Sequence, residues 1–382
     1  MKILVTEATR NAGLAVVRSL KKSNCEVIGA DDRRLPFGIH SCHTKPNYLY
    51  ADVESQSFIE SLIKIIRQEK PDVLLPVAAT SQISRHKAKL EKYTNLLVPE
   101  YNSFMAADDN QATLEECRKL NIDCPVILSK KKAIDILQRN KNSIKKVQVV
   151  LKPRRNIGRS DGLFYVKTPS EMERRIAENE QKYGDYIIEE FIPGTQCMKT
   201  LNLLFDKKNR LAAYFTTHKL KEWPNMGGLT ALSVSTNDWP LVQWVLPFFR
   251  KWRYQGVAEV ELKMDPRDGK PKLIEINPRF WSYIGFPARC GVNFPFLASK
   301  LALDDGRNVK TYPSYPVNIK YINPYLYIKA TLSEIMSNRQ KIKVLRQVLT
   351  QLKGRKVGNF FELRDIKVNI AKMMLQLLGN SG

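Results

Sequence analysis

Apolar residues gather in short runs separated by amphipathic stretches, and this rhythm predicts most of the chain's elements. Lys2-Ile3-Leu4-Val5-Thr6 is a short buried strand, followed by a turn and a stretch of helical period from Gly13 to Lys22. Glu26-Val27-Ile28-Gly29-Ala30 is a second strand ending at Asp31-Asp32, and a helix near 54–69 leads into a third, Asp72-Val73-Leu74-Leu75-Pro76-Val77. Strands alternating with helices imply βαβ units and a parallel sheet. One helix is expected from Ala107, capped by Asp108-Asp109-Asn110 and running through Leu114, Cys117 and Leu120 until Asn121–Pro125. Beyond it the pattern turns to α+β. Strands are expected at 147–152, 163–166, 186–192, 200–205 and 211–217, with a helix at 170–182. A Trp- and Phe-rich helix at 239–254 precedes strands 256–264 and 272–277, joined by the turn Asp265-Pro266-Arg267-Asp268-Gly269-Lys270.

Composition narrows the class. With 382 residues, 43% hydrophobic and 9% aromatic, the chain suits two or three packed domains and not a disordered or fibrous protein. No run approaches the roughly 18 apolar residues that span a bilayer, and the N-terminus lacks the features of a secretory signal. A cytoplasmic protein is expected, with peripheral contact at the inner membrane surface as an option. The cysteines are scattered without a C-x-x-C pair, as in a reducing compartment, and His40-Ser41-Cys42-His43 reads as a surface loop and not a metal site. The formal charge of +24, from 62 Lys+Arg against 38 Asp+Glu, attracts polyanions of any kind. From residue 307 onward, 14 basic residues stand against 3 acidic ones.

Three constellations carry chemistry. In the hairpin 256–279, alternate residues share a face, so Glu275 and Asn277 lie together, Arg279 continues their line, and Glu259 and Glu261 lie together on the partner strand. Carboxylates and an amide oxygen converging there make a hard-oxygen site suited to Mg²⁺, and the Arg supplies a fork for phosphate. In the second, Lys152 closes an apolar strand and opens a basic, Gly-containing loop with Arg154, Arg155, Gly158 and Ser160, which suits phosphate. In the third, Glu189-Glu190-Phe191-Ile192 ends a strand whose edge suits a purine and whose acids suit ribose. The opening TEATRNAG has Glu7 and Arg10 where a dinucleotide-binding turn needs glycines, so NAD is not expected.

In this order the three constellations resemble the ATP-grasp superfamily, and within it carboxylate–amine ligases of the carbamoyl-phosphate-synthase-like type. EVELKMDPRDGKPKLIEINPRFW is the most specific stretch, GFPARCGVNFPFLASKLAL extends it, and the likeness covers residues 1–305. It implies an α/β and α+β protein: a Rossmann-like pre-ATP-grasp domain (1–105), an ATP-grasp lid and first lobe (106–185), and a second lobe with the metal site (186–306). A basic, mainly helical C-terminal extension (307–382) follows. It further implies that ATP and Mg²⁺, or Mn²⁺ in its place, are bound. Lys152 and the loop with Arg154, Arg155, Gly158 and Ser160 would contact phosphates, and Glu189, Glu190, Phe191, Ile192 and Gln196 would hold the nucleoside. Glu261, Glu275 and Asn277 would hold metal, while Arg279 would steady the transferred phosphoryl group. The implied reaction joins small carboxylate and amine substrates through an acylphosphate, releasing ADP and phosphate. The sequence departs from relatives at Asn110, where many have Lys, and at Gln196, where many have Glu.

His218, Lys219, Lys221, Gly227 and Gly228 fall in a segment expected as a loop approaching the substrate. Trp239, Trp244, Phe248, Phe249 and Trp252 fall on helical spacing and are expected in the core. The basic C-terminus is expected as packed helices with a solvated basic face; an anionic membrane or an acidic carrier protein are alternative partners for it. Nucleic acid is not expected, and a homodimer is compatible with the sequence. The competing functional reading is an ATP-binding regulatory or scaffold protein without ligase turnover.

Overall fold

The computed structural model describes residues 1–32, 41–139, 149–155, 162–194, 197–225, 227–303, 314–337, 341–358 and 365–370. Gly158, Ser160, Gln196 and His40 lie outside the described residues.

The N-terminal region contains β1 (Lys2–Val5), α1 (Asn11–Lys22), β2 (Glu26–Asp31), β3 (Asn47–Leu49), α2 (Phe58–Glu69) and β4 (Val73–Leu75). Its strands form a parallel sheet in the order β3-β2-β1-β4, as the βαβ pattern requires. The β1–α1 turn is filled by protein. Glu7 Oε2 accepts the N–H groups of Val77, Ala78 and Ala79, while Tyr50 OH donates to Glu7 Oε1 at 2.8 Å. A side chain therefore occupies the place where a dinucleotide turn would leave open backbone. Gly13 is required because a Cβ there would lie 2.0 Å from the Glu7 carbonyl oxygen.

Short helices α3 (Thr80–Arg85), α4 (Lys87–Leu90), α5 (Tyr101–Asp108), α6 (Asn110–Lys119) and α7 (Lys130–Arg139) lead to β5 (Val149–Pro153), β6 (Phe164–Val166), α8 (Pro169–Tyr183) and β7 (Tyr186–Glu190). The helix expected behind the Asp108-Asp109-Asn110 cap is α6: Asp109 leaves the helical conformation of α5 and caps α6 by accepting the N–H groups of Gln111 and Ala112. Strands β6-β5-β7 form a small antiparallel sheet with α7 and α8 against it.

The large sheet follows, built from β8 (Met198–Phe205), β9 (Leu211–Trp223), β10 (Leu229–Thr236), β11 (Gly256–Met264) and β12 (Pro271–Asn277), with α9 (Trp239–Lys251) packed on it. Phe248 and Phe249 of α9 are buried beside Phe205 and Tyr254, and Trp239, Trp244 and Trp252 pack at the edge, so these aromatics are core. After α10 (Gly285–Arg289) and α11 (Phe294–Leu303) come β13 (Lys320–Ile322), α12 (Pro324–Ser337), α13 (Lys341–Gln351) and β14 (Lys356–Val357). The sheet order is β12-β11-β8-β9-β10-β13-β14.

One expectation is corrected. Residues 218–223 are not a loop: β9 runs on to Trp223, pairing with β10 as far as Leu229. The region after 307 is mainly helical among its described residues, and it also joins the large sheet, since β13 pairs with β10 and α12 packs over β9 and β10. Arg18 of α1 also reaches Asp365 with Nη2 to Oδ2 at 2.7 Å, an ion pair buried between the two ends of the chain. Trp281, Phe286 and Phe294 share one apolar core with Val5, Val16 and Leu20, which joins the N-terminal sheet to the large one.

Candidate active site

The β11–β12 hairpin sets Glu259 opposite Asn277 and Glu261 opposite Glu275, with an irregularity after Glu261. Asn277 Nδ2 donates to Glu275 Oε1 at 3.2 Å and to Glu259 Oε2 at 3.3 Å, and Arg279 Nη2 donates to Asn277 Oδ1 at 3.2 Å. Tyr283 OH lies 2.6 Å from Glu259 Oε1 and 2.8 Å from Thr200 Oγ1. The alternation thus brings three carboxylates, an amide and a guanidinium to one patch.

Two buried lysines hold these carboxylates. Lys152 Nζ, at the end of β5, is 2.9 Å from Glu275 Oε2 and donates to the Ile274 carbonyl at 3.0 Å. Lys219 Nζ, on β9, lies 2.9 Å from both oxygens of Glu261 and 3.4 Å from Glu222 Oε1. Burial would lower the Lys219 pKa, but Glu261, Glu222 and Glu259 outweigh it and hold the ammonium charged. Burial likewise pushes Glu275 up, yet Lys152 prevails and keeps its carboxyl below the ordinary value. Glu261 is pushed up to about 8, by burial first and then by Glu275 and Glu259, against the pull of Lys219. Glu259 is raised by burial as well.

These groups open into a cavity of about 480 Å³ between the small and large sheets. Its wall includes Pro125, Val150, Lys152, Arg155, Tyr165, Glu189, Glu190, Phe191, Ile192, Lys219, Lys221, Gly227, Gly228, Lys263, Arg279 and, from the C-terminal helices, Glu334, Val344 and Gln347. Glu189 is buried, its Oε1 has no hydrogen-bond partner among the described residues, and burial raises its pKa despite nearby Lys152. Phe191 packs edge-on against Tyr165 with centroids 5.7 Å apart, and Lys263 Nζ sits 5.4 Å over its ring.

No protein-family model matches the chain. It is 26% identical over 245 residues to a D-aspartate ligase of Enterococcus faecium (strain Aus0004), a match covering 58% of each protein, so a little over half of that relative's length. Among solved structures, biotin carboxylase of Campylobacter jejuni superposes with a TM-score of 0.62 at 15% identity, covering 84% of this chain and 74% of that one. An L-amino acid ligase from Bacillus licheniformis gives 0.59 at 14% identity, covering 81% and 77%. An N5-carboxyaminoimidazole synthetase from Staphylococcus aureus gives 0.57 at 14%.

The chain has the ATP-grasp fold.

Most residues expected in the ATP-grasp site meet at the cavity: Lys152, Arg155, Glu189, Glu190, Phe191, Ile192, Lys219, Lys221, Gly227, Gly228, Glu261, Glu275, Asn277 and Arg279 all line it. Arg154 and His218 do not. Arg154 Nε is held by Asp109 Oδ2 at 2.9 Å, and His218 sits within β9 between Lys199 and Val234. Arg155 is likewise anchored, 3.0 Å from Asp108 Oδ2. Asn110, where many relatives have Lys, donates its Nδ2 to the Pro153 carbonyl at 2.9 Å and so ties α6 to the end of β5. Lys221 is bound to Glu334 Oε2 at 2.7 Å. Tyr165, Glu222, Lys263, Tyr283, Glu334, Val344 and Gln347 were absent from the expected set. Alternation along β11 would have pointed to Lys263, two residues beyond Glu261, while no local signal marks Glu334.

The residues fit a magnesium nucleotide. Among the described residues no three His, Cys, Asp or Glu side chains form a ready cage, but Mg²⁺ takes few protein ligands and keeps water or phosphate oxygens. Glu261, Glu275 and Asn277 are hard-oxygen donors brought together by the hairpin register, and Glu189 Oε1 is an orphaned buried acceptor suited to a nucleobase amine.

Proposed function

We propose that the chain is an ATP-dependent carboxylate–amine ligase that forms an amide or peptide bond through an acylphosphate and releases ADP and phosphate. The observation that carries this reading is the charge layout of the cavity, in which a carboxylate hairpin, two buried lysines from the two sheets and Arg279 converge. The names of the relatives support an amino acid as one substrate, since a D-aspartate ligase and an L-amino acid ligase are among them.

Mg²⁺, or Mn²⁺ in its place, would be held by Glu261, Glu275 and Asn277, and would neutralise charge on the transferring phosphoryl oxygens. Lys152 would exchange Glu275 for phosphate oxygens, as a buried ammonium within reach of two carboxylates can do without leaving its strand. Arg279, fixed by Asn277 and the Phe280 carbonyl, would present its remaining N–H groups to the phosphoryl group or the acylphosphate. Glu189 and the backbone of Glu190–Ile192 would hold the base, with Phe191 against it. Gly158, Ser160 and Gln196 are assigned to the same nucleotide by resemblance. Lys219, Lys221, Gly227 and Gly228 would face the carboxylate substrate. Gly227 adopts φ +90° and lies so close to Leu163 and Tyr165 that a Cβ there would meet Leu163 at 2.5 Å, which brings the chain close over that side of the cavity.

Glu275→Gln and Lys152→Ala are expected to abolish ADP release while leaving the far-ultraviolet spectrum unchanged. Release of AMP and pyrophosphate by the native chain would overturn the reading. No helix among the described residues is long and apolar enough to cross a membrane.

A further inference from the structure

We propose that the outer faces of α12 and α13 form a docking surface for an anionic lipid bilayer. On α12, Tyr327 and Ala330 are buried against the sheet, while Ile328, Leu332 and Met336 recur every four residues on the opposite side. On α13, Val344 is buried and Ile342 and Leu349 point outward. These five outward side chains are between 54% and 86% exposed, on two helices that pack against each other. Soluble chains seldom leave such aligned apolar stripes uncovered.

Charge selects the occupant. Residues 314–358 contain nine Lys or Arg (320, 329, 339, 341, 343, 346, 353, 355 and 356) and one acid, Glu334. That acid is paired with the Lys221 ammonium at 2.7 Å, and Lys320 is taken up by the carbonyls of Thr350, Gln351 and Lys353, so the segment keeps a net positive charge from its other basic residues. A second copy would bring two such strips of like charge together and be repelled. Nucleic acid would neutralise the lysines and leave the apolar stripes in water. A bilayer carrying anionic headgroups satisfies both at once, with basic side chains at the phosphates and the stripes in the acyl boundary. Each basic side chain near such a surface strengthens partition about fivefold. The inner faces of the same helices supply Glu334, Val344 and Gln347 to the cavity, so docking sets that cavity about 10 Å, one helix diameter, from the headgroups.

The test is flotation of the full chain with vesicles of phosphatidylcholine alone or mixed with phosphatidylglycerol. Binding is expected to the mixed vesicles, weaker by about tenfold or more on phosphatidylcholine alone and weakened by added salt. Met336→Asp and Ile328→Asp should each reduce binding about tenfold while ATP binding and the elution volume stay unchanged. Several results would overturn the proposal. They are absence of binding, equal binding to both vesicle types, indifference to both substitutions, or a wild-type dimer that Met336→Asp makes monomeric. Stronger capture by an acidic protein domain that survives Met336→Asp would also count against it.

Discussion

Lys152→Met isolates the ion pair at the centre of the site. Methionine keeps the aliphatic stem that packs at the end of β5 and removes the ammonium that lies 2.9 Å from Glu275 Oε2. Glu275 would then face Glu189, Glu259 and Glu261 with the Asn277 hydrogen bond and the attraction of Lys219 as its remaining support. Removing one member of a buried pair costs about 3–5 kcal/mol, because the other is left uncompensated. The Glu275 side chain keeps 23% exposure, against 7% for Lys152, so water relieves part of the penalty and about 3 kcal/mol is expected. Urea unfolding of Lys152→Met, Glu275→Gln and the double variant measures it. The double variant should lose less than the sum of the singles, with a coupling of more than about 1.5 kcal/mol. Binding of Mg²⁺-ATP, followed by calorimetry, should weaken about 10- to 100-fold in Lys152→Met, the value of a charge-assisted hydrogen bond. Losses that add to within about 0.5 kcal/mol would refute the pairing, and unaltered ATP binding would refute the role of Lys152.

Other consequences are open to measurement. Asp31 is pushed up to about 6 by burial and by its hydrogen bond with Asp32, against two hydrogen bonds from Thr9. Its folded pKa exceeds the unfolded value of 3.8, so the native state holds the proton more tightly, and the stability this gives fades as pH rises from about 4 to 6. Asp31→Asn should therefore be more stable than the native chain by up to about 3 kcal/mol at about pH 8, with the difference vanishing near pH 4 in thermal melts. Gly13→Ala should cost about 1–3 kcal/mol or more, because its Cβ meets backbone that cannot move aside; an unchanged melting temperature would contradict that contact. Asp365→Ala leaves Arg18 buried without its carboxylate and should open the C-terminal end to limited proteolysis before the rest of the chain. Equal cleavage rates would show that the pair does not hold it.

Periodicity made the site partly legible. Strand alternation alone puts Glu275 with Asn277 and Glu259 with Glu261, and the hairpin adds the cross-strand register, Glu259 opposite Asn277 and Glu261 opposite Glu275. Lys152 was legible as a cation ending an apolar strand. What escaped depends on distant partners. Lys219 and Lys221 are legible as substrate-side cations but not as buried strand residues, because a buried lysine is stable only beside a carboxylate, and Glu261 and Glu334 lie 42 and 113 positions away. That is also why β9 was ended too soon, at 217. Strands β13 and β14 have three and two residues, too short for any period to register, and are fixed by pairing with β10 and with each other. Asp109 is legible as part of the cap of α6, but its second contact, with Arg154 45 positions on, is not.

The central claim is that one cavity couples ATP cleavage to the joining of a carboxylate and an amine. Its most direct test is to incubate the chain with Mg²⁺-ATP and a matrix of amino acids, small acids and peptides, measuring ADP release and product mass together. ADP should form when a carboxylate and an amine are both present, with a product whose mass equals their sum less one water. Tight ATP binding with no turnover anywhere in a broad matrix, or ADP formed at the same rate without an amine and without a condensed product, would contradict the account.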